Sequence, residues 1–240
     1  MVKVESALQD ARVSGFLNID KPYGLTSFAV VKKLRSKLKV RKIGHCGSLD
    51  PIATGVLVVS FGKATKKSSL FLKSDKIYRG VFKLGVKTDT DDITGRVLSE
   101  RECASVTRER IERSMKGFEG EILQQVPLYS AVKVKGDALY NYARRGIRVI
   151  QPKRKVRVYF FKLLDFRAPL VWFEMKASSG AYVRALARDL GDELGCGAAV
   201  QELRRLAVGD VRVEQSLDLD RVLNSPVEEV LAQRLNFFKN

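Results

Sequence analysis

A short polar stretch at residues 44–55 places the only histidine of the chain, His45, five positions before a carboxylate, Asp50. The stretch reads Gly-His-Cys-Gly-Ser-Leu-Asp-Pro-Ile-Ala-Thr-Gly and leads directly into an apolar run at residues 56–61. Because Pro51 disfavours the helical region for the residue before it, the backbone at Asp50 is expected to be extended and its side chain to be aimed. A carboxylate held in this way can act as a nucleophile or stabilise a positively charged intermediate.

The same stretch also allows a structural interpretation. An aspartate followed by a proline is typical of a helix start, with Asp50 as the N-cap and Pro51 as the first helical residue. His45 can be an ordinary loop histidine, and as the only imidazole it leaves no histidine cluster for a metal. The three cysteines are far apart and lack the spacing of a disulfide framework or a zinc site. We therefore expect neither a metal nor a cofactor, and carboxylate chemistry is favoured.

The composition narrows the class of partner. The chain has 240 residues, of which 45% are hydrophobic, as in an ordinary globular protein of one large domain or two small ones. Its 44 lysines and arginines against 27 acidic residues give a net charge of +17. Such a surplus indicates a polyanionic partner, with nucleic acid favoured over an anionic membrane surface. No apolar run reaches membrane-spanning length and the start has no signal-peptide pattern, so we expect a cytoplasmic protein, and a monomer.

Two predicted elements must position the polar stretch. Residues 15–20 read as a strand that ends at the turn Lys-Pro-Tyr-Gly. Thr26 or Ser27 can then cap a helix whose apolar positions recur at helical spacing, at Val30, Val31, Leu34 and Leu38. The other face of this helix is basic, and no acidic residue occurs between residues 21 and 49. Since a face that serves only solubility usually mixes charge signs, a phosphate-binding face is favoured over a solvated one.

The remaining chain mixes strands and helices, as expected for an α+β protein. The patterns predict strands at residues 56–61, 78–86, 153–161, 170–177 and 208–214, and a hairpin-like turn at 88–95. They predict helices at residues 107–115 after Thr107, 138–145 capped by Asp137, 182–194 and 198–206. The strand at 153–161 alternates charge with bulk, which is typical of a sheet edge that faces a polyanion or resists aggregation.

Residues 44–55 closely resemble the catalytic loop of the bacterial tRNA pseudouridine synthase B family, which reads Gly-His-x-Gly-x-Leu-Asp-Pro-x-Ala-x-Gly. Four further segments resemble motifs of this family in the family order: residues 18–24, 75–79, 179–184 and 203–208. The resemblance extends over about residues 15–210. It implies a pseudouridine synthase fold, in which helices flank a mixed, mostly antiparallel central sheet.

The resemblance also implies an activity, the conversion of uridine to pseudouridine in the T loop of tRNA, at position 55. The family's catalytic aspartate falls on Asp50, which would attack either the sugar carbon or the base of a flipped-out uridine. Tyr78 would lie under the target base, where its hydroxyl could transfer a proton, and Arg184 would be the partner of the aspartate. For Tyr78, core packing is the structural alternative.

Five residues are implied to bind the substrate RNA: His45, Tyr182, Leu203, Lys21 and Lys66. His45 would fill the gap that a flipped base leaves in the stack. Tyr182 would close the uracil pocket, with core packing as its alternative, and Leu203 would line that pocket. Lys21 belongs to the Lys-Pro motif, and Lys66 follows the strand after the catalytic loop.

The resemblance divides the chain into an N-terminal extension at 1–14, a catalytic domain at 15–214 and a short tail at 215–240. The family usually adds a small C-terminal RNA-binding domain, and the tail has too few residues to build one of this PUA type. Two rival functions stay open: a subunit directed by guide RNA, as in archaeal and eukaryotic relatives, and a non-catalytic chaperone that refolds tRNA.

Overall fold

The computed structural model describes residues 13–235 of the chain. The strands are β1 (Gly15–Lys21), β2 (Ile43–His45), β3 (Ala53–Phe61), β4 (Lys76–Leu84), β5 (Val86–Thr88), β6 (Val97–Glu100), β7 (Gly120–Gln125), β8 (Lys133–Val134), β9 (Asp137–Ala138), β10 (Lys153–Arg167), β11 (Leu170–Ala177), β12 (Ala198–Val208), β13 (Val211–Arg212) and β14 (Leu217–Asp218). The α-helices are α1 (Ser27–Leu38), α2 (Ser69–Leu72), α3 (Arg108–Gly117), α4 (Leu139–Arg144), α5 (Val183–Leu194), α6 (Leu219–Asn224) and α7 (Val227–Ala232). Short 3-10 helices occupy Gly62–Lys67 and Val213–Gln215.

The chain divides into two compact units. Unit 1 contains the chain up to Lys76 and the chain from Arg204 onward, and unit 2 contains Ile77–Leu203. Of the predicted N-terminal extension, residues 1–12 lie outside the described part. No helix within residues 13–235 is both long and apolar enough to cross a membrane.

Unit 1 is built on strands paired in the order β14-β1-β3-β12, with β2 on β3 and β13 on β12, and β12 belongs to it from Arg204 onward. β1 and β3 are antiparallel along their full length, from Gly15 opposite Phe61 to Lys21 opposite Gly55. β14 pairs with β1 in parallel. The strands predicted at residues 15–20 and 56–61 are confirmed as β1 and β3.

Helix α1 covers one face of the unit 1 strands. It begins after Thr26, whose hydroxyl accepts a hydrogen bond from the Ala29 amide at 3.0 Å. The predicted apolar stripe is confirmed, since Val30, Val31, Leu34 and Leu38 are all buried. This stripe packs on side chains of β1 and β3 together with α6 and α7. The opposite sheet face has its own core, which includes Phe16.

Unit 2 has strands paired in the order β4-β11-β10-β7. The predicted strand at 78–86 is confirmed in β4, where the alternate positions Tyr78, Gly80, Phe82 and Leu84 are buried. Phe82 stacks on Phe173 of β11 with ring centroids 4.1 Å apart. Helix α3 begins after Thr107 as predicted and contacts β10 and α5. β5 and β6 form the predicted hairpin.

The helix predicted at residues 198–206 is wrong, because this segment is strand β12. Its residues alternate in burial from 202 to 207, with Leu203, Arg205 and Ala207 inside. Arg205 faces inward, but it is a polar residue type. It therefore interrupts the alternation of apolar and polar residues that would have indicated a strand. The alanine, leucine, glutamate and arginine content then favoured a helix.

Two further local predictions were wrong. β10 is not an edge strand, because it pairs with β7 over Lys153–Val158 and with β11 over Val158–Arg167. β7 reads Gly-Glu-Ile-Leu-Gln-Gln and carries no strong strand pattern, so this partner was not anticipated. The N-cap of α4 is Ala138 rather than Asp137, whose carboxylate instead accepts hydrogen bonds from Asn141 and Arg145.

Candidate functional site

Asp50 lies in a loop that turns directly into β3. It is half-buried, and its carbonyl oxygen accepts a hydrogen bond from the Ala53 amide at 3.0 Å. The chain then enters β3 at Ala53 without forming a helix. The interpretation of Asp50 as a helix N-cap is therefore wrong, and its carboxylate stands on a tight turn at the start of a buried strand.

The residues on both sides of Asp50 are anchored by hydrogen bonds to the first elements of the chain. The buried hydroxyl of Ser27, at the start of α1, accepts from the Leu49 amide at 2.8 Å and donates to the Leu49 carbonyl at 3.1 Å. On the other side, the Pro51 carbonyl accepts from the Gly24 amide at 2.8 Å. This double attachment fixes the main chain that carries Asp50, which is the preorganisation that a catalytic carboxylate needs.

Lys21 is a buried residue that binds the main chain next to the Asp50 loop. It is fully buried, and its Nζ donates to the carbonyls of Pro22 at 2.8 Å, Leu25 at 2.6 Å and Pro51 at 3.4 Å. Burial lowers the pKa of its ammonium from 10.5 to about 8, opposed by the nearby charge of Asp50 and assisted by that of Arg205. The structure thus places Lys21, the lysine of the Lys-Pro motif, inside unit 1, where its ammonium binds main-chain carbonyl oxygens, including that of Pro51 next to Asp50.

His45 ends β2, where it is opposite Val59 of β3. Its ring is half-buried, and Nδ1 is buried without a hydrogen-bond partner in the described part of the chain. Burial lowers the pKa of the imidazole, and the positive charge of Arg205 lowers it further. A histidine with a lowered pKa is uncharged near pH 7, and its flat ring can then contact a base.

Lys66 belongs to the 3-10 helix that follows β3, and its side chain is exposed. Lys63 and Lys67 on the same short helix are also exposed. These lysines are therefore placed to meet a ligand in solution, in contrast to Lys21.

In unit 2, Arg184 is the second residue of α5, and its side chain is only 5% exposed. Its guanidinium donates from Nη1 to the Thr90 carbonyl at 2.8 Å and from Nη2 to the Tyr129 carbonyl at 3.0 Å. Its Nε lies 4.0 Å from the carboxylate of Asp92, which is itself buried and held by Thr94. Arg184 is thus fixed in direction by neutral acceptors, and the carboxylate of Asp92 lies beside its charge.

The aromatic and apolar candidates of unit 2 are also held in place. Tyr182 is the N-cap of α5, and both its amide and its carbonyl bind the buried side chain of Gln124, at 2.7 and 3.0 Å. Tyr78 on β4 is 8% exposed and Leu203 on β12 is 7% exposed. Both side chains are therefore packed against neighbouring residues over most of their surface.

One arginine and two aspartates form a group of ion pairs near Arg184. Arg188 of α5 contacts Asp91 at 3.4 Å and Asp189 at 2.8 Å. Burial raises the pKa of Asp91 to about 6, against the opposing charge of Arg188. These residues tie the 88–95 turn to the helix that carries Arg184.

Comparison with known proteins identifies the family. The sequence model for the TruB family pseudouridylate synthase N-terminal domain matches residues 35–183, and the model for the tRNA pseudouridylate synthase B C-terminal domain matches residues 184–236. The chain belongs to the TruB family. Similar curated proteins, each named tRNA pseudouridine synthase B, come from Endomicrobium trichonymphae (44% identity over 85% of this chain and 89% of the relative) and Clostridium tetani (39% over 91% and 76%).

Two solved structures are similar over most of this TruB family chain. One is described as the structure of an H/ACA RNP bound to a substrate RNA containing 2'-deoxyuridine, with 28% identity and a TM-score of 0.66. The other is a Cbf5-Nop10-Gar1 complex, with 28% identity and a TM-score of 0.65. They cover 92% and 96% of this chain, while this chain spans 55% and 64% of theirs. These likenesses agree with the pseudouridine synthase fold expected from the TruB motifs.

Sequence reasoning missed residues that hold the candidate side chains of this TruB family chain in place within each unit: Ser27 in unit 1, and Asp92 and Gln124 in unit 2. Asp92 lies in the segment that was interpreted only as a hairpin turn, where two adjacent aspartates between threonines were the available signal. Ser27 was recognised as a helix start, but its bond to Leu49 joins positions 22 residues apart. No local pattern reports such a contact.

Proposed function

We propose that this protein is a tRNA pseudouridine synthase that isomerises the T-loop uridine, at position 55, and that residues 15–214 carry the chemistry. Membership of the TruB family and the names of its relatives support the reaction. The observation that carries the proposal is the complete family loop around Asp50, with both flanking residues anchored by hydrogen bonds.

The proposed reaction breaks the bond between uracil N1 and the ribose carbon C1', turns the base, and joins C5 to the same carbon. The proton of C5 leaves and N1 gains one, so the reaction needs no oxidant and no reductant. Asp50 serves as the ionised carboxylate that adds to the sugar or to the base. We assign Arg184 as the fixed cation of the reaction, Tyr78 and Tyr182 as aromatic contacts of the base, and Leu203 as an apolar wall of its pocket.

The charge distribution of unit 1 supports an RNA partner. Residues 21–74 contain 12 lysines and arginines and a single acidic residue, Asp50, so they contribute +11 of the total charge of +17. Lys32, Lys33 and Arg35 are exposed on one side of α1. Such a surface attracts a phosphate backbone and repels other cations. We propose that it binds the T arm of tRNA, that the protein acts as a monomer, and that it does so in the cytoplasm.

Two alternatives are weaker. The curated relatives named tRNA pseudouridine synthase B are 39–44% identical to this chain, whereas the chains of the H/ACA and Cbf5 complexes are 26–28% identical. This difference supports an enzyme that reads tRNA directly over a subunit directed by guide RNA. A non-catalytic chaperone would have no need of a carboxylate on an anchored turn.

Substitution of Asp50 by asparagine tests the proposal. Because the amide keeps the shape but cannot act as a nucleophile, we expect Asp50→Asn to lose turnover by about 10³-fold or more. Release of tritium from C5 of unmodified tRNA measures turnover, and filter binding measures affinity, which should change less than about threefold. Lys66→Met removes an exposed positive charge instead, and it should weaken binding while leaving the chemical step intact. Absence of tritium release by the wild-type protein from several unmodified tRNAs would refute the enzyme proposal.

A further inference from the structure

Arg205 is a fully buried arginine beneath the loop that carries Asp50. It lies on β12 and is 1% exposed. Its Nη2 donates to the Gly47 carbonyl at 3.1 Å, and its Nη1 to the Ser48 carbonyl at 3.2 Å. Its Nε donates to the Val56 carbonyl at 2.8 Å. The guanidinium therefore binds the main chain on both sides of Asp50. It contacts Gly47 and Ser48 in the arm before Asp50 and Val56 in the arm after it.

Among the residues that the structure describes, no carboxylate neutralises the charge of Arg205. Within residues 13–235, its guanidinium forms no ion pair, and its hydrogen-bond partners are the three main-chain carbonyls. Burying a cation without a counter-charge is costly, and a well-packed apolar side chain would fill such a place at lower cost. An arginine at this position is therefore poorly explained by stability alone.

Two glycines of the loop, Gly55 and Gly47, lie next to Arg205, and at Gly55 the approach is too close for any side chain. Gly55 has φ of +97°, and a Cβ there would clash with the carbonyl oxygen of Arg205 and lie 2.9 Å from its nitrogen. Gly47 has φ of +117°, and a Cβ there would stand 3.8 Å from Nη1. Only glycine permits both the positive φ and the close approach of β12 at Gly55. The path of the loop at Gly55 therefore depends on the close approach of the Arg205 main chain, which fixes where the Arg205 side chain starts.

The guanidinium also affects the electrostatics around the loop. Its positive charge adds to burial in lowering the pKa of Lys21 and of His45. Both side chains lie beside the segment that Arg205 binds. The same cation that holds the main chain therefore disfavours a second positive charge on its neighbours.

We propose that Arg205 is a positioning residue, whose buried guanidinium holds the two arms of the loop so that Asp50 meets the uridine in a reactive orientation. The inference rests on the proposed function and adds a residue to it. Arg205 does not contact the substrate, since its side chain is buried and its donors are directed at carbonyls. Its effect is therefore on the chemical step and not on the affinity for tRNA.

Two variants test this role. Arg205→Met keeps the length of the side chain and removes the cation and its three hydrogen bonds, whereas Arg205→Lys keeps the charge but cannot span both arms. At saturating tRNA, we expect the single-turnover rate of tritium release to fall about 100-fold in Arg205→Met and about tenfold in Arg205→Lys. The dissociation constant for tRNA should stay within about threefold of the wild-type value in both.

A stability control separates positioning from general destabilisation. Val208→Ala removes buried methyl groups from the same strand without touching the loop carbonyls. All variants are assayed at a temperature where circular dichroism shows them folded, and Arg205→Lys replaces Arg205→Met if the latter does not fold. A rate loss in the arginine variants no larger than that of Val208→Ala would overturn the proposal. If the wild-type protein itself releases no tritium, the proposed function fails instead, which is a different result.

Discussion

At the scale of single residues, Lys21 shows how the site is supported at an energetic cost. Its ammonium is buried among carbonyl oxygens, and its pKa falls from 10.5 to about 8. The folded protein therefore holds this proton less tightly than the unfolded chain does. Below pH 8 the cost of the buried charge is fully present, and it is relieved as the pH rises towards 10.5.

This shift predicts a pH-dependent difference between the wild type and Lys21→Met. Between pH 8 and 10.5 only the unfolded state keeps the proton, so the contribution of Lys21 to stability increases with pH. The free energy of unfolding of the wild type minus that of Lys21→Met should rise by about 2 kcal/mol from pH 7.5 to 9.5. Urea denaturation at each pH measures it. Lys66→Met, which alters an exposed lysine, should show no such slope, and a flat difference for Lys21→Met would contradict the buried charge.

At the scale of elements, the start of helix α1 acts as a support for the loop of Asp50. Ser27 both donates to and accepts from Leu49, and its hydroxyl is buried. The helix itself is fixed by an apolar stripe on β1 and β3. The position of the loop is therefore set by helix α1, which is itself packed on the core of unit 1.

Removal of this hydroxyl is expected to loosen the loop. Ser27→Ala leaves the amide and carbonyl of Leu49 buried without partners, which should lower the free energy of unfolding by about 1–3 kcal/mol. The single-turnover rate of tritium release should also fall, because Asp50 follows Leu49 directly. Ser36→Ala, at an exposed position of the same helix, is the matched control and should change neither quantity. Equal effects of the two substitutions would show that Ser27 does not anchor the loop.

The elements that the sequence predicted correctly are those whose burial follows a simple period. α1 and α5 show apolar stripes at helical spacing, and β4 alternates through Tyr78 and Phe82. β12 was missed because its inward-facing Arg205 breaks the apolar alternation. A buried charge of this kind depends on carbonyl partners about 150 residues away in the chain, which no local window contains.

The candidate site residues also differ in how far the sequence could predict them. The loop of Asp50 and the segments of Tyr78, Tyr182 and Arg184 could be selected as candidates from the sequence because each carries a short motif in family order. Their supports were not found, since Ser27, Gln124, Asp92 and Arg205 act through hydrogen bonds between distant segments. Lys21 was assigned to the substrate from its motif alone, and only the structure shows its ammonium turned towards the main chain.

At the scale of the whole molecule, the distribution of charge assigns RNA binding to basic residues and the proposed chemistry to one carboxylate. Residues 21–74 carry +11, and the only acidic side chain among them is Asp50. An RNA backbone attracted to this region therefore meets a cationic surface with one carboxylate in it. Long-range attraction can supply affinity, while in the proposed reaction the anchored loop supplies the carboxylate.

This separation predicts how salt acts on the enzyme. Each phosphate that the protein neutralises releases counterions, so the logarithm of the tRNA binding constant should fall linearly with the logarithm of salt concentration. Reversal of three exposed charges on α1, in the triple variant Lys32→Glu, Lys33→Glu and Arg35→Glu, should reduce the slope by about 2–3 and weaken binding at low salt. The single-turnover rate at saturating tRNA should be unchanged, because these side chains lie on the solvent face of the helix. The variant that keeps the charge at the same positions, Lys32→Arg, Lys33→Arg and Arg35→Lys, should retain the wild-type slope; a wild-type slope in the glutamate variant would exclude this face from RNA binding.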